Sequence, residues 1–149
     1  MKIVQRLLPA ALAFAALAVV PALPAQADLP RQEHMQGSIA YVSGGIGEDE
    51  AQAMKQAAAS YPLTLELAAP SGGPHDEYVS DAKLEIRDRQ GNAILSTRTE
   101  GPLVLIRLPS GRYTVDVAWN GAVKHKTIDI DTGKRQHVVL EFPREHGPQ

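Results

Sequence analysis

Two acidic clusters are the first features of this sequence that could carry chemistry. Glu48, Asp49 and Glu50 are consecutive, and three carboxylates within one helical turn could bind a cation or a basic partner. They could equally stabilise a helix, because acidic side chains in a first turn complement the positive end of the helix dipole. We favour this structural interpretation and keep all three as candidate binding residues.

The second cluster, His75-Asp76-Glu77, follows a loop rich in glycine and proline. Imidazole and carboxylate groups ligate metals, and loops often carry binding residues, so the cluster could form a loop metal or ligand site. Its spacing matches no calcium-binding loop. A solvated acidic turn is the simpler interpretation, and the three residues stay candidate binding residues.

The histidines offer one further route to a metal site. His125 and His137 fall on consecutive predicted strands and could face each other as a cross-strand pair, with Glu141 or Asp129 as a third ligand. The alternative is a solvated strand face, because lysines flank His125. We favour the solvated face, so the sequence predicts no metal and no cofactor.

The single tryptophan, Trp119, could form a platform on which a sugar ring stacks. It also alternates in phase with Tyr113, Val115 and Val117, which predicts that it belongs to the core face of a strand. We favour the core position. No Gly-x-Ser-x-Gly elbow and no serine–histidine–acid motif occurs in the sequence, so no enzyme activity is predicted.

Alternation of apolar and polar residues predicts eight strands that could position these groups. Turn residues separate the strands at spacings near ten residues, which is typical of an antiparallel β-sandwich. Within this series, the pair Asn120-Gly121 is the strongest two-residue hairpin signal. The predicted strands are 38–43, 63–67, 82–87, 93–99, 103–108, 113–119, 123–131 and 135–142.

One helix is predicted over residues 46–61. Ile46, Met54, Ala57 and Tyr61 fall on one face of a 3.6-residue period, and alanine, the best helix former, dominates the segment. Pro62 ends the pattern. This helix would cover an edge or an end of the sandwich.

Length and composition limit the possible classes of protein. A chain of 149 residues allows one folded domain. The absence of cysteine excludes a disulfide scaffold, a thiolate zinc site and an iron–sulfur site. A formal net charge of −2 gives no electrostatic signature of a nucleic-acid-binding protein, so no nucleic-acid partner is predicted.

The N-terminus is typical of a secretory signal peptide, predicted over residues 1–27. Lys2 and Arg6 precede an apolar stretch over residues 7–20, and Ala25-Gln26-Ala27 fits the small-x-small rule for cleavage. The apolar stretch is too short to span a membrane, so we expect no membrane span after cleavage and a periplasmic or secreted protein. A flexible leader over 28–37, one domain over 38–142 and a flexible tail over 143–149 would follow.

Two segments resemble the carboxypeptidase regulatory-like domain, a small transthyretin-like (prealbumin-like) sandwich. Residues 82–92 resemble its strand, turn and return strand. Residues 108–117, followed by Gly121, resemble its Leu-Pro-x-Gly-x-Tyr-x-Val signature. The resemblance implies the fold for residues 81–142, in a small exported bacterial protein. It implies no peptidase activity, because the zinc-dependent catalytic domain of those carboxypeptidases is a separate and larger unit.

These observations together predict a mainly β protein, an antiparallel seven- to eight-stranded transthyretin-like β-sandwich with one N-terminal helix. The expected function is that of a non-enzymatic, exported binding module whose partner is a periplasmic protein or an envelope glycan. One alternative is a carbohydrate- or peptidoglycan-binding module. A second alternative is a metal-dependent enzyme or metal carrier, and the sequence leaves the oligomeric state open.

Overall fold

The computed structural model describes residues 29, 31–71 and 77–143. Helix α1 spans Glu48–Ala57 and continues as a 3-10 turn over Ala58–Ser60. The strands are β1 His34–Gln36, β2 Ile39–Gly44, β3 Leu63–Ala69, β4 Glu77–Tyr78, β5 Lys83–Arg87, β6 Ala93–Arg98, β7 Leu103–Arg107, β8 Gly111–Trp119, β9 Ala122–Ile130 and β10 Gln136–Glu141.

The strands form two sheets that pack face to face. Sheet A has the order β1-β2-β7-β3-β10, with the short β4 beside β3, and sheet B has the order β6-β5-β8-β9. Within the described residues, every strand pair is antiparallel except β3 with β10, which is parallel. The inner faces of the two sheets enclose the main apolar core.

The expectation of a mainly β fold with two sheets and one helix is confirmed. All eight predicted strands are present, and each boundary lies within two residues of its predicted position. The expectation that all strands pair antiparallel is wrong for β10. The chain leaves β9 in sheet B and enters sheet A, where Gln136 pairs in parallel with Leu63. Alternation fixes which face of a strand is buried but fixes neither its neighbour nor its direction.

A second apolar cluster lies on the outer face of sheet A, beneath helix α1. Val42 and Leu105 of the sheet pack against Met54, Ala57 and Tyr61 of the helical segment. Met54, Ala57 and Tyr61 belong to the face that the 3.6-residue period predicts, and all three are buried. The helix therefore covers the outer face of sheet A and not an edge or an end of the sandwich, where the sequence placed it.

The helix begins later than its apolar pattern predicts. Ile46 was expected on the buried face, but it precedes the helix and its side chain is 48% exposed. Gly45 and Gly47 adopt φ angles of 98° and 89°, in the left-handed region that favours glycine. These angles are incompatible with a right-handed helix, so the helix cannot begin before Glu48.

The predicted flexible leader, residues 28–37, differs from the structure where it is described. Residues 34–36 form β1, which pairs with β2, so His34 lies in a strand rather than a tail. Upstream of β1, Arg31 forms an ion pair with Glu50 of the helix. Backbone hydrogen bonds and polar side chains hold this segment in place. It has no apolar face, and this is why its sequence shows no apolar alternation.

The helix and the segment before β1 meet at Tyr61. Its hydroxyl donates a hydrogen bond to the carboxylate of Glu33, and the Arg107 guanidinium lies 4.2 Å from its ring centroid. Burial, and to a smaller extent the hydrogen bond to Glu33, raises the pKa of Tyr61 to about 12. A single side chain thus joins the second apolar cluster to a polar network.

No helix among the described residues is long and apolar enough to cross a membrane. The predicted signal peptide, residues 1–27, and the predicted tail beyond Pro143 lie outside the described residues.

Replacing Met54 by alanine tests whether the helix stabilises the domain. The Met54 side chain is 0% exposed, and Met→Ala truncation in a core removes about 2–5 kcal/mol of unfolding free energy. We expect a loss in that range, measured by urea denaturation. Gln56→Ala, on the exposed side of the same helix, is the control and should change the unfolding free energy by about 0.5 kcal/mol at most. Equal effects for the two variants would show that the helix contributes no core packing.

Tyr61 predicts a specific sensitivity to alkaline pH. Its folded-state pKa of about 12 exceeds the ordinary value of 10.0. The buried, protonated Tyr61 hydroxyl therefore makes its full contribution to the free energy of unfolding below pH 10. This contribution is lost as the pH rises towards about 12. The urea midpoint of the unmodified protein should fall between those pH values, and in Tyr61→Phe this fall should be smaller. Tyr78→Phe, at an exposed position, should show the same fall as the unmodified protein. A parallel fall in Tyr61→Phe and the unmodified protein would contradict the assignment.

Candidate functional site

The structure places the first acidic cluster in the opening turn of helix α1. Gly47, which precedes it, has no side chain to cap the free backbone N–H groups, so the dipole contribution of Glu48, Asp49 and Glu50 is the stabilising term available there. Glu50 is partly buried and is paired with Arg31. Its carboxylate is therefore already neutralised and is poorly placed to bind a second cation.

The second acidic cluster is only partly described. His75 and Asp76 lie outside the described residues, and Glu77 opens the short strand β4, where its backbone pairs with Ala69.

His125 and His137 do not form the cross-strand pair that the sequence left open as the alternative to a solvated strand face. They lie in different sheets, because β9 pairs with β8 and β10 pairs with β3. The imidazole of His125 contacts Asp116, whereas His137 Nε2 lies 2.7 Å from Glu66 Oε2. Asp129, a suggested third ligand, instead accepts a hydrogen bond from Arg112.

That bond joins Arg112 Nε to Asp129 Oδ1 at 2.7 Å, and it lowers the pKa of the Asp129 carboxyl group. Among the described residues, no group of three or more histidine, aspartate or glutamate side chains is placed to hold a metal ion.

A groove lies where helix α1 leaves the outer face of sheet A uncovered. The helix covers β2 and β7, while the outer faces of β3 and β10 form the groove floor. The groove has a volume of about 430 Å³. It is lined by Met54, Lys55, Ala58, Ala59, Thr64, Glu66, Leu103, Leu105, Arg135, Gln136 and His137.

Two arginines fix the wall of this groove. Arg135 Nη1 donates to the carbonyl oxygen of Ala59 at 3.0 Å, and Arg107 Nη1 donates to that of Ser60 at 2.8 Å. The last carbonyl groups of a helix lack internal partners and carry partial negative charge, so guanidinium groups stabilise them. The end of the helical segment is thereby tied to β7 and to the start of β10.

The groove combines apolar side chains of the helical segment and β7 with a few charged groups. Leu105 lies at its base, Lys55 and Arg135 supply positive charge, and Glu66 with His137 form a contact across β3 and β10. A concave apolar surface with a small number of polar groups is the usual form of a ligand site.

Strand β10 borders the groove and forms the free edge of sheet A. The N–H groups of Gln136 and Phe142 donate to carbonyls on the β3 side, at Pro62 and Ala68. Because backbone polar groups alternate in direction along a strand, the odd-numbered residues direct theirs towards the free edge. These residues are His137, Val139 and Glu141, and Val139 is 47% exposed.

The other edges carry features that block strand addition. On β6, the Gln36 side chain accepts from the Ser96 N–H at 2.6 Å and donates to the Ser96 carbonyl at 3.0 Å, as a neighbouring strand would. On β9, the Gln136 side chain donates to the carbonyl of Asp129.

Two lysines protect β9 further. Lys124 and Lys126 are cross-strand partners of the buried Val117 and Val115, so they occupy positions on its inward face. Inward-facing charges on an edge strand oppose edge-to-edge pairing, and β1, with three residues, offers little to pair with. Among the described residues, β10 is thus the edge of useful length without such a block.

Sequence reasoning missed this site because it depends on two strands that are distant in the chain. The two-residue alternation of β10 could have placed His137 and Val139 on one face.

Trp119, predicted in the core, is only partly buried. It packs against the core and lines a cleft at one end of sheet B.

Comparisons with known proteins do not extend this description. No family model matches the chain, and no curated protein matches it. A solved structure described as "The Bacillus anthracis TIE protein" is similar to 54% of this chain, with 15% sequence identity and a TM-score of 0.39. The matched region is 16% of the length of that chain.

Proposed function

We propose that this protein is an exported, non-enzymatic interaction domain whose strand β10 accepts an extended segment of a partner protein as an added strand. The observation that carries the proposal is the unblocked edge of β10 beside the groove. Its odd-numbered residues offer backbone N–H and C=O groups, and β-strand addition uses such groups for affinity and the neighbouring side chains for specificity.

The side chains of β10 specify the chemistry of the partner segment. Residues opposite one another on adjacent strands interact, and opposite charges or paired apolar groups stabilise the sheet. An antiparallel segment would place a basic residue against Glu141, an apolar residue against Val139 and an acidic residue against His137. Because the His137 imidazole already contacts Glu66, the positive charge that favours an acidic residue there comes from Lys55 and Arg135, which lie on the groove side of His137.

The assignment of the fold to the carboxypeptidase regulatory-like type is part of the same proposal. The Pro-x-Gly-x-Tyr spacing has a physical basis here, because the Tyr113 hydroxyl donates to the Pro109 carbonyl at 2.7 Å and closes the turn before β8. Export rests on the predicted signal peptide at residues 1–27, and the partner is accordingly a periplasmic or envelope protein.

A synthetic peptide tests strand addition directly. The probe has the core Lys-Thr-Val-Thr-Glu with threonines on both sides, and its control has the lysine and glutamate exchanged. We expect the probe to slow amide hydrogen exchange at His137, Val139 and Glu141, measured by NMR. Val138 and Leu140 should change little, because their amides already face β3. The control peptide should bind about tenfold more weakly.

Val139→Lys should weaken binding of the probe peptide about tenfold or more, because a lysine on an edge strand opposes pairing with another strand. The matched control is Val123→Lys, at a 65% exposed position on edge strand β9, and it should bind the probe normally. Binding of the probe peptide without slower amide hydrogen exchange at His137, Val139 and Glu141 would contradict strand addition. A dimer that Val139→Lys abolishes, seen by sedimentation, would show that the occupant is a second copy and not a partner.

A further inference from the structure

The groove beside helix α1 continues past Lys55 into a smaller cavity, which we call its extension. Lys55, Glu66 and Leu103 line both cavities, so these side chains mark the point where the two meet. The extension has a volume of about 140 Å³ and is lined at its far side by Ala68 and Tyr78, which are cross-strand partners. The groove and its extension thus form one elongated depression along β3.

The side chains of β3, β7 and β10 that line this depression belong to one face of sheet A. Leu103 and Leu105 pack beneath helix α1, which places them on the outer face. Glu66 and Thr64 are their register partners on β3, and His137 is the partner of Thr64 on β10. Cross-strand partners share a face, so a ligand in the depression can contact all of these strands at once.

The depression is about as long as a medium-length acyl chain. It runs from the level of Gln136, the register partner of Leu63, to the level of Tyr78, the partner of Ala68. The steps along β3 from Leu63 to Ala68 cover about 16 Å. An extended hydrocarbon advances about 1.3 Å per carbon–carbon bond, so about twelve carbons would fill this length.

Positive charge lies on the groove side of this depression. Arg135 Nη1 donates to the Ala59 carbonyl, and Lys55 lies about one turn earlier on the same side of the helical segment. Within the described ranges, neither cation forms an ion pair. Glu66 is the one carboxylate among the described lining residues, and it contacts His137. With His137 neutral, the described lining carries one net positive charge.

The extension has no such charge of its own. Apart from the side chains that it shares with the groove, its described lining is uncharged and consists of Gly45, Ala51, Leu67, Ala68, Tyr78 and Pro102. The depression therefore has a cationic end and an uncharged, mainly apolar end. The methylene groups of Lys55 connect them, because a lysine stem can lie along an apolar surface while its ammonium group turns towards an anion.

We propose that the groove and its extension bind a fatty acid of about twelve carbons. Its carboxylate lies between Lys55 and Arg135 and accepts charge-assisted hydrogen bonds, and its chain follows β3 towards Tyr78. One carboxylate balances the single net positive charge, whereas a phosphate monoester, with a charge of nearly −2, would exceed it. The proposal does not depend on strand addition, because the free backbone groups of β10 face away from β3.

Chain length and head-group charge test this proposal. The probes are octanoate, dodecanoate, tetradecanoate and dodecyltrimethylammonium, each below the concentration at which it forms micelles, and binding is followed by the NMR shifts of the Lys55, Ala58 and Ala68 amides. We expect affinity to rise about twofold per carbon from octanoate to dodecanoate and then to level off. The cationic amphiphile should bind about tenfold more weakly than dodecanoate.

Two pairs of variants locate the head and the chain. Lys55→Gln should weaken dodecanoate about fivefold, whereas Lys134→Gln, outside both cavities, should not. Ala51→Gln places an amide in the extension and should weaken dodecanoate about threefold without affecting octanoate. Ala53→Gln, the same change outside both cavities, should affect neither. Arg135 is not a test position, because its loss would also release the Ala59 carbonyl.

Three outcomes would overturn the proposal. Affinity that keeps rising to tetradecanoate would indicate unspecific adsorption of hydrocarbon, and equal binding of the cationic amphiphile would make Lys55 and Arg135 irrelevant. The third is binding of dodecanoate only where it forms micelles. Strand addition is measured separately, by amide exchange at Val139 and Glu141, which the fatty acid should leave unchanged. Either proposal can therefore fail alone.

Discussion

Strand β7 is buried on both of its faces, and the arrangement of the molecule follows from that constraint. Val104 and Ile106 point into the sandwich, while Leu103 and Leu105 point outwards from sheet A. A strand with no polar face must be covered on both sides. Helix α1 supplies the second cover, because Met54 and Ala57 pack against side chains of β2 and β7. The groove lies beside these contacts, where the helix does not cover β3 and β10.

The two sides of the sandwich are closed by glutamine side chains. Gln36 of β1 bonds to the Ser96 backbone, and Gln136 of β10 bonds to the Asp129 carbonyl. Each primary amide reaches from an edge of sheet A to the edge of sheet B. These bonds satisfy backbone groups that would otherwise pair with another chain, so they protect the edges of sheet B and leave the edge of β10 open.

The local elements could be predicted from the sequence because short-range physics determines them. Leu84 and Ile86 alternate with charged residues, and the turn after them is closed by Asp88 Oδ1, which accepts from the N–H of Asn92 at 2.9 Å. Strand β1 could not be predicted, because three residues without an apolar pattern carry no such signal. The parallel pairing of β10 depends on a contact about seventy residues away along the chain, which no local pattern encodes.

The candidate sites also show that contacts between distant parts of the chain cannot be predicted from local sequence patterns. The acidic residues Glu48, Asp49 and Glu50 could be found from the sequence because they are consecutive, and their adjacency reflects the start of a helix. Lys83 and Arg98 become neighbours only when β5 and β6 pair, so their proximity cannot be predicted before the register is known. Such groupings of charge thus arise from strand pairing and not from a sequence motif.

Phe142 links the end of β10 to Trp119 of sheet B and bears on whether binding at β10 is felt elsewhere in the sandwich. It follows β10 directly, donates its N–H to Ala68 and packs against Trp119. Coupling between sites requires an element with two discrete arrangements that each ligand biases differently. Phe142 is buried in the main apolar core, and moving it would disturb close-packed neighbours. Strand addition at β10 engages backbone groups that point away from Phe142, so it should leave the contact between Phe142 and Trp119 unchanged.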